Sequence, residues 1–271
     1  MEAREGTPSL QTVFADARSV RERTRGRLSD RGLDPGRVLD TPETGDAIDL
    51  ATFYDIIGTT AASEKAGQSP TYALARLALR AGLPSEIAET LFLAYNQQSA
   101  EEAGHGDKVF ANAYFAMGGA APSGDQSAVG NGSDVASMLA PSEDPRENKR
   151  RLGTVAGLIG GIETFALQQA FPQITALCER WDHPIGRDLV RQIRDVVRPE
   201  ESRHVLIWRY VFHQLIAPKG SKVVEAYFQA TNAGRNQLGA PAIDRETLER
   251  MLGTSAPTTR QLLGKDRVLH G

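Results

Sequence analysis

The sequence predicts an all-α helical bundle with additional helices at its N- and C-terminal ends, on three observations. From Ile48 onward the chain is rich in alanine and leucine at helical spacing, and almost no segment alternates as a strand would. Prolines stand where helices open, at Pro84, Pro145 and Pro184, positions at which a missing N–H leaves nothing unpaired. The pattern also occurs twice. Each half reads as a helix, a proline break (Pro70, Pro172), a short helix, and a long helix opened by proline (Pro84, Pro184).

Residues 1–45 form an N-terminal extension, polar and punctuated by glycine and proline, with a helix expected over about 10–28. Its arginines Arg18, Arg21, Arg23, Arg25 and Arg27 read as a solvated helix face, with contact to an acidic partner as the other reading. The bundle spans 46–220. Helices are expected over about 49–66, 71–81 and 84–117. The Gly-, Ser- and Pro-rich stretch 118–143 reads as a flexible loop inside the bundle. Asp144 followed by Pro145 is an N-cap and first-turn pair, opening a helix to about Ala170. A break at Pro172, a short helix to Trp181 and a long one from Pro184 to Ala217 complete this region. Residues 221–271 are expected to supply a C-terminal helix (about 221–233), a shorter one over 245–251, and a tail packed on the bundle.

Composition narrows the function. The chain has 271 residues, with 31 Lys+Arg against 34 Asp+Glu, so its net charge of −3 offers no general attraction to nucleic acid or an anionic membrane. Cys178 is the single cysteine, which excludes an intrachain disulfide, a CxxC redox pair and a cysteine-rich zinc site. The first residues lack the apolar stretch of a secretory signal. The longest apolar-looking run, 205–217, contains Arg209 and His213 and is too short to span a bilayer. The expectation is a cytoplasmic protein.

The repeat leads to the chemistry. Glu101-Glu102-Ala103-Gly104-His105 and Glu200-Glu201-Ser202-Arg203-His204 both read EExxH, a pattern that chance supplies only about 0.02 times in a chain of this composition. The two lie 99 residues apart, and so do Glu64 and Glu163. Each half therefore reads Glu, then Glu-x-x-His 38 positions later. Gly58 and Gly157 precede the first Glu of each half by the same six residues. Residues three apart share a helix face, so Glu102 with His105 and Glu201 with His204 can each grip one ion. One half offers too few ligands for a transition metal. Together the halves supply four carboxylates and two imidazoles, Glu64, Glu102, His105, Glu163, Glu201 and His204, the set that a pair of metal ions about 3.5–4 Å apart requires. Burying four glutamates without such cations would leave mutually repelling charges in the core. Glu101 and Glu200 read either as hydrogen-bond acceptors behind the ligands or as exposed charges. His213 faces away from the set, and His183 and His270 read as loop or tail residues.

At these residues the chain resembles the ferritin-like di-iron carboxylate oxidases and oxygenases, over about 49–217. The run from Ala100 to Asp107 is similar to the EENRHGD signature of the acyl-carrier-protein desaturases, with Gly104 in the arginine position that Arg203 keeps in the second motif. Val197 occupies the place of the additional histidine of the arylamine N-oxygenases, so no seventh ligand is expected. The resemblance implies a ferritin-like four-helix bundle with an internal two-fold repeat. It further implies two iron ions, with manganese as the other candidate, and a catalytic role for Glu64, Glu102, Glu163 and Glu201. The implied activity is that of a dioxygen-dependent monooxygenase or oxidase, performing hydroxylation, desaturation or N-oxygenation. Its implied partners are a small organic substrate, free or carrier-bound, an electron donor such as a ferredoxin and its reductase, and a second copy in a homodimer. The other reading is iron or manganese handling, as a ferroxidase or a catalase-like peroxide scavenger.

Neighbours of the ligands refine the expectation. Ala61, Gly67, Gly160 and Ala166 sit one turn from Glu64 and Glu163, where small side chains leave room for ions and substrate or else allow close helix packing. Tyr95 and Trp208 should face the same interior, as core or as pocket lining. Pro199, two residues before Glu201, should disturb its helix and open one side of the site.

Overall fold

The computed structural model describes residues 38–39, 48–117, 139–181 and 183–264. The helix expected near 10–28, most of the loop over 118–143, and His270 lie outside the described residues. Apart from a two-residue antiparallel pairing of β1 (Val38–Leu39) with β2 (Ile48–Asp49), the described residues are helical or in turns.

Helix α1 spans Leu50–Ala78. Helix α2 (Ser85–Gly104) runs through a π-helical turn (His105–Phe110) into α3 (Ala111–Ala116). Helix α4 (Pro145–Phe165) passes through a second π turn (Ala166–Ala170) into α5 (Phe171–Trp181). Helix α6 (Pro184–Gln192) leads through a third (Ile193–Val197) into α7 (Arg198–Val211), which ends in a fourth (Phe212–Ile216). Then come α8 (Ser221–Gln237), α9 (Arg245–Leu252) and α10 (Thr259–Leu263). The caps follow the sequence. Asp144 accepts from the Arg146 N–H at 2.9 Å, and His183 Nδ1 accepts from Ile185 N–H, just before the prolines that open α4 and α6. Asp244 caps α9 through Thr247 N–H. The short α10, not expected from the sequence, opens with a capping box between Thr258 and Gln261.

Two expected breaks are absent. Pro70 lies inside the continuous α1. Carbonyls near it are served by side chains: Thr71 Oγ1 donates to Gly67 O and Gln68 O, and Ser99 Oγ on α2 donates to Gln68 O. At Pro172 the π turn Ala166–Ala170 steps the hydrogen-bond register just ahead of the proline, and the helix continues through it. Pro199 is likewise preceded by a π turn, with helix on both sides.

Helices α1, α2, α7 and α4 close a ring in which each packs on two neighbours, and α8 lies along the outside of α4. That last contact brings backbones together at glycines: a Cβ on Gly161 would stand 1.9 Å from Thr231 O, and one on Gly234 2.0 Å from Leu158 O. The apolar interior comes in two parts. One gathers Leu74, Leu91, Tyr95, Leu152, Trp208 and Phe212; the other gathers Ile57, Phe110, Phe171, Leu189 and Val197. Along α1, and along the helical runs that continue α2 and α4 and precede α7 through their π turns, a polar stretch separates residues of the first part from residues of the second. The candidate ligands occupy these stretches. No helix among the described residues is long and apolar enough to cross a membrane.

Candidate metal centre

The structure brings all six predicted side chains together. Ligand atoms of Glu64, Glu102, His105 and Glu201 lie within 4.8 Å of one another, and so do those of Glu102, Glu163, Glu201 and His204. Each group could hold a metal ion. Glu102 and Glu201 belong to both, so the two groups form one cluster with shared carboxylates.

Helical spacing places them. Glu64 projects from α1 and Glu163 from the end of α4; Glu102 and His105 stand one turn apart where α2 widens into its π turn, and Glu201 and His204 one turn apart on α7. Five of the six are buried, and the Glu64 side chain is 10% exposed. Inside the cluster, His105 Nδ1 is 3.1 Å from Glu64 Oε2 and 3.1 Å from Glu201 Oε1. His204 Nδ1 is 3.3 Å from Glu102 Oε1, 3.4 Å from Glu201 Oε2 and 3.7 Å from Glu163 Oε2. Both imidazoles thus turn Nδ1 inward.

Their outer nitrogens decide the question left open for Glu101 and Glu200. His105 Nε2 lies 2.8 Å from Glu200 Oε2, and His204 Nε2 lies 3.0 Å from Glu101 Oε2. The pairing crosses the repeat: each motif's first glutamate holds the other motif's histidine. Arg203 Nη2 donates to Glu101 Oε1 at 2.7 Å and stands 3.6 Å from Glu200 Oε1, linking the two. A carboxylate on Nε2 favours the proton there, so that an ion displacing the Nδ1 proton would meet a neutral imidazole with its Nδ1 lone pair facing the cluster. Gln98, which the sequence reading passed over, donates from Nε2 to Glu163 Oε1 at 2.8 Å and Glu102 Oε1 at 3.2 Å. Its position one turn before Glu102 was the available signal.

The electrostatics call for cations. Six carboxylates (Glu64, Glu101, Glu102, Glu163, Glu200, Glu201) face two imidazoles and one guanidinium. Burial, together with repulsion from Glu201 and Glu64, pushes the Glu102 carboxyl up to about 8. Burial and the neighbouring carboxylates hold Glu163 well above its ordinary range, and burial with repulsion from Glu201 raises Glu64. Burial disfavours charge on His105, but hydrogen bonds to Glu200, Glu201 and Glu64 outweigh it and hold the imidazole protonated far above its usual value. Burial likewise opposes charge on Glu101, yet His204, Gln97 and Arg203 lower its carboxyl to about 2. Both oxygens of Glu201 are shut off from solvent without a well-formed hydrogen bond, and His204 Nδ1 shares this condition. Orphaned carboxylate and imidazole atoms within one cluster of oxygen and nitrogen donors fit a site that could hold metal ions.

Several neighbours take the less eventful of their two roles. Trp208 fills the space beside Gly160, where a Cβ would stand 1.9 Å from the indole ring, so this glycine serves packing. Tyr95 and Trp208 are buried in the apolar core, and Trp208 stacks on Tyr227 with centroids 6.4 Å apart. Gly67 admits Glu102: a Cβ there would be 3.1 Å from Glu102 Oε2. His213 bonds Leu252 O, away from the cluster.

The protein is thus a helical bundle that encloses a buried carboxylate–histidine cluster able to hold metal. No protein-family model, no curated protein and no solved structure matches this chain.

Proposed function

We propose that the protein is a non-haem di-iron oxidase or oxygenase of ferritin-like architecture, built from two related halves, acting on a small organic substrate. The observation that supports it most is the sharing of Glu102 and Glu201 between two four-residue groups, which suits two adjacent ions. Iron bound there would supply dioxygen activation and the oxidising power to attack a C–H or N–H bond. The chain's own residues hold and shield. Glu64, Glu102, His105, Glu163, Glu201 and His204 present the donors. Glu101, Glu200 and Arg203 orient the imidazoles, and Gln98 tethers Glu102 to Glu163. The apolar core on either side keeps water from the cluster.

Anaerobic loading with Fe(II), metal analysis, and oxygen uptake with a chemical reductant test this reading. The expected result is about two irons per chain and oxygen consumption that follows metal content. Less than about one metal per chain, or no oxygen consumption with any electron donor, would defeat it. Fast peroxide disproportionation by a manganese-loaded protein would replace it with the metal-handling alternative.

A further inference from the structure

A groove of about 380 Å³, lined by none of the candidate metal ligands, opens where three helical segments meet. The start of α8 and the turns after α7 form two of its walls, and the first half of α4 forms the third. Its floor is apolar: Leu215, Ile216, Val223, Ala226 and Tyr227 line it. Gly153 lets Ile216 approach, since a Cβ there would be 3.0 Å from Ile216 Cδ1. Tyr227 spends its hydroxyl on Trp208 O, so its ring serves as an apolar wall.

The rim is cationic. Arg146, Lys149, Lys219 and Lys222 all border the groove, and none of them makes an ion pair with a carboxylate among the described residues. Arg150 also borders it, but Glu147 occupies that guanidinium. Burial and the neighbouring charge of Lys219 lower the pKa of Lys149, as expected of like charges held close without a counter-ion. In a chain whose net charge is −3, an unpaired cluster of four cations around an apolar floor is a local departure. The volume sits at the lower end of the roughly 300–1,000 Å³ typical of small-molecule sites.

We infer that this groove binds a single-chain anionic amphiphile, its carboxylate or phosphate head among Lys149, Lys219, Lys222 and Arg146 and its alkyl or aryl part on the Val223–Tyr227 floor. Charge complementarity selects the head, and burial of apolar surface retains the tail. The inference does not depend on the metal reading.

Titration of the full chain with monomeric dodecanoate and dodecyl phosphate, followed by calorimetry, tests it. Saturable binding of one amphiphile per chain is expected. It should weaken about tenfold in Lys149→Gln/Lys219→Gln and in Ala226→Trp, with metal content and melting temperature unchanged in the charge variant. Raising salt should weaken the head-group contribution. Absence of saturable binding, or affinity unmoved by both variants, would overturn the inference. Inorganic phosphate binding as tightly as dodecyl phosphate would reduce the groove to a bare anion site and also overturn it. Binding to phosphatidylglycerol vesicles without binding to the monomeric probes would do the same, assigning the surface to a membrane instead.

Discussion

On the His105 side of the cluster, the outer carboxylate Glu200 remains 26% exposed and meets Arg203 only at 3.6 Å. On the His204 side, Glu101 is 9% exposed and receives hydrogen bonds of 2.7 Å from both Arg203 and Gln97. The difference continues inward. Gln98 ties Glu163 to Glu102, whereas Val197, the residue 99 positions later, is fully buried in apolar core and offers no donor. Equal spacing in sequence therefore yields equivalent ligands in unequal surroundings. The His204 side is braced and dry; the His105 side is looser and nearer solvent through Glu64 and Glu200. Two ions held by such a cluster should differ in affinity, the His204-side ion being the tighter.

Seven substitutions probe this comparison. Glu201→Gln should have the largest effect, because both groups share the residue: metal content should fall from about two to below about half an ion per chain, while His105→Ala should retain about one. Equal losses in the two variants, read by metal analysis after Fe(II) loading, would mean that Glu201 is not shared. Next, Glu101→Gln should weaken the tighter ion by about tenfold or more, and Glu200→Gln the looser one by less than about tenfold, measured by competition with a chelator. The reverse order would remove the asymmetry. Gln98→Val, which makes the two halves alike at this position, should bring the two metal affinities together by a few-fold, about 1 kcal/mol. Affinities that move further apart would contradict the tether. Smallest for the metal, and visible only in stability, is Gly160→Ala. The clash with Trp208 should cost about 1–3 kcal/mol in denaturant unfolding, whereas Gly104→Ala, with nothing within 4 Å of the added Cβ, should be neutral or stabilising by up to about 1 kcal/mol.

Much of this was legible beforehand because it depends on local chemistry. Asp144 and Pro145 open α4 as expected, since a cap and a proline act on their own turn. Four of the ligand candidates could be picked out because helical geometry makes a three-residue spacing a statement about one face, and Glu64 and Glu163 because they repeat at the same 99-residue offset. Pro70 and Pro172 misled for a complementary reason. Whether a proline breaks a helix depends on who serves the carbonyls it disturbs, and near Pro70 these partners include Ser99 on another helix. The glycines of α4 were ambiguous in the same way, because Trp208 and α8, distant in sequence, decide what fills the space beside them.

The helical class and most helix starts follow from residues within a few turns of one another, and the set of carboxylates and imidazoles from a spacing that recurs 99 residues on. It takes the packing of the helices to place Glu102 and Glu201 in both groups, to exchange the histidines of Glu101 and Glu200 across the repeat, and to tie Glu163 to Glu102 through Gln98 on one side alone. Those relations cross between helices, and no spacing along a single chain encodes which faces meet.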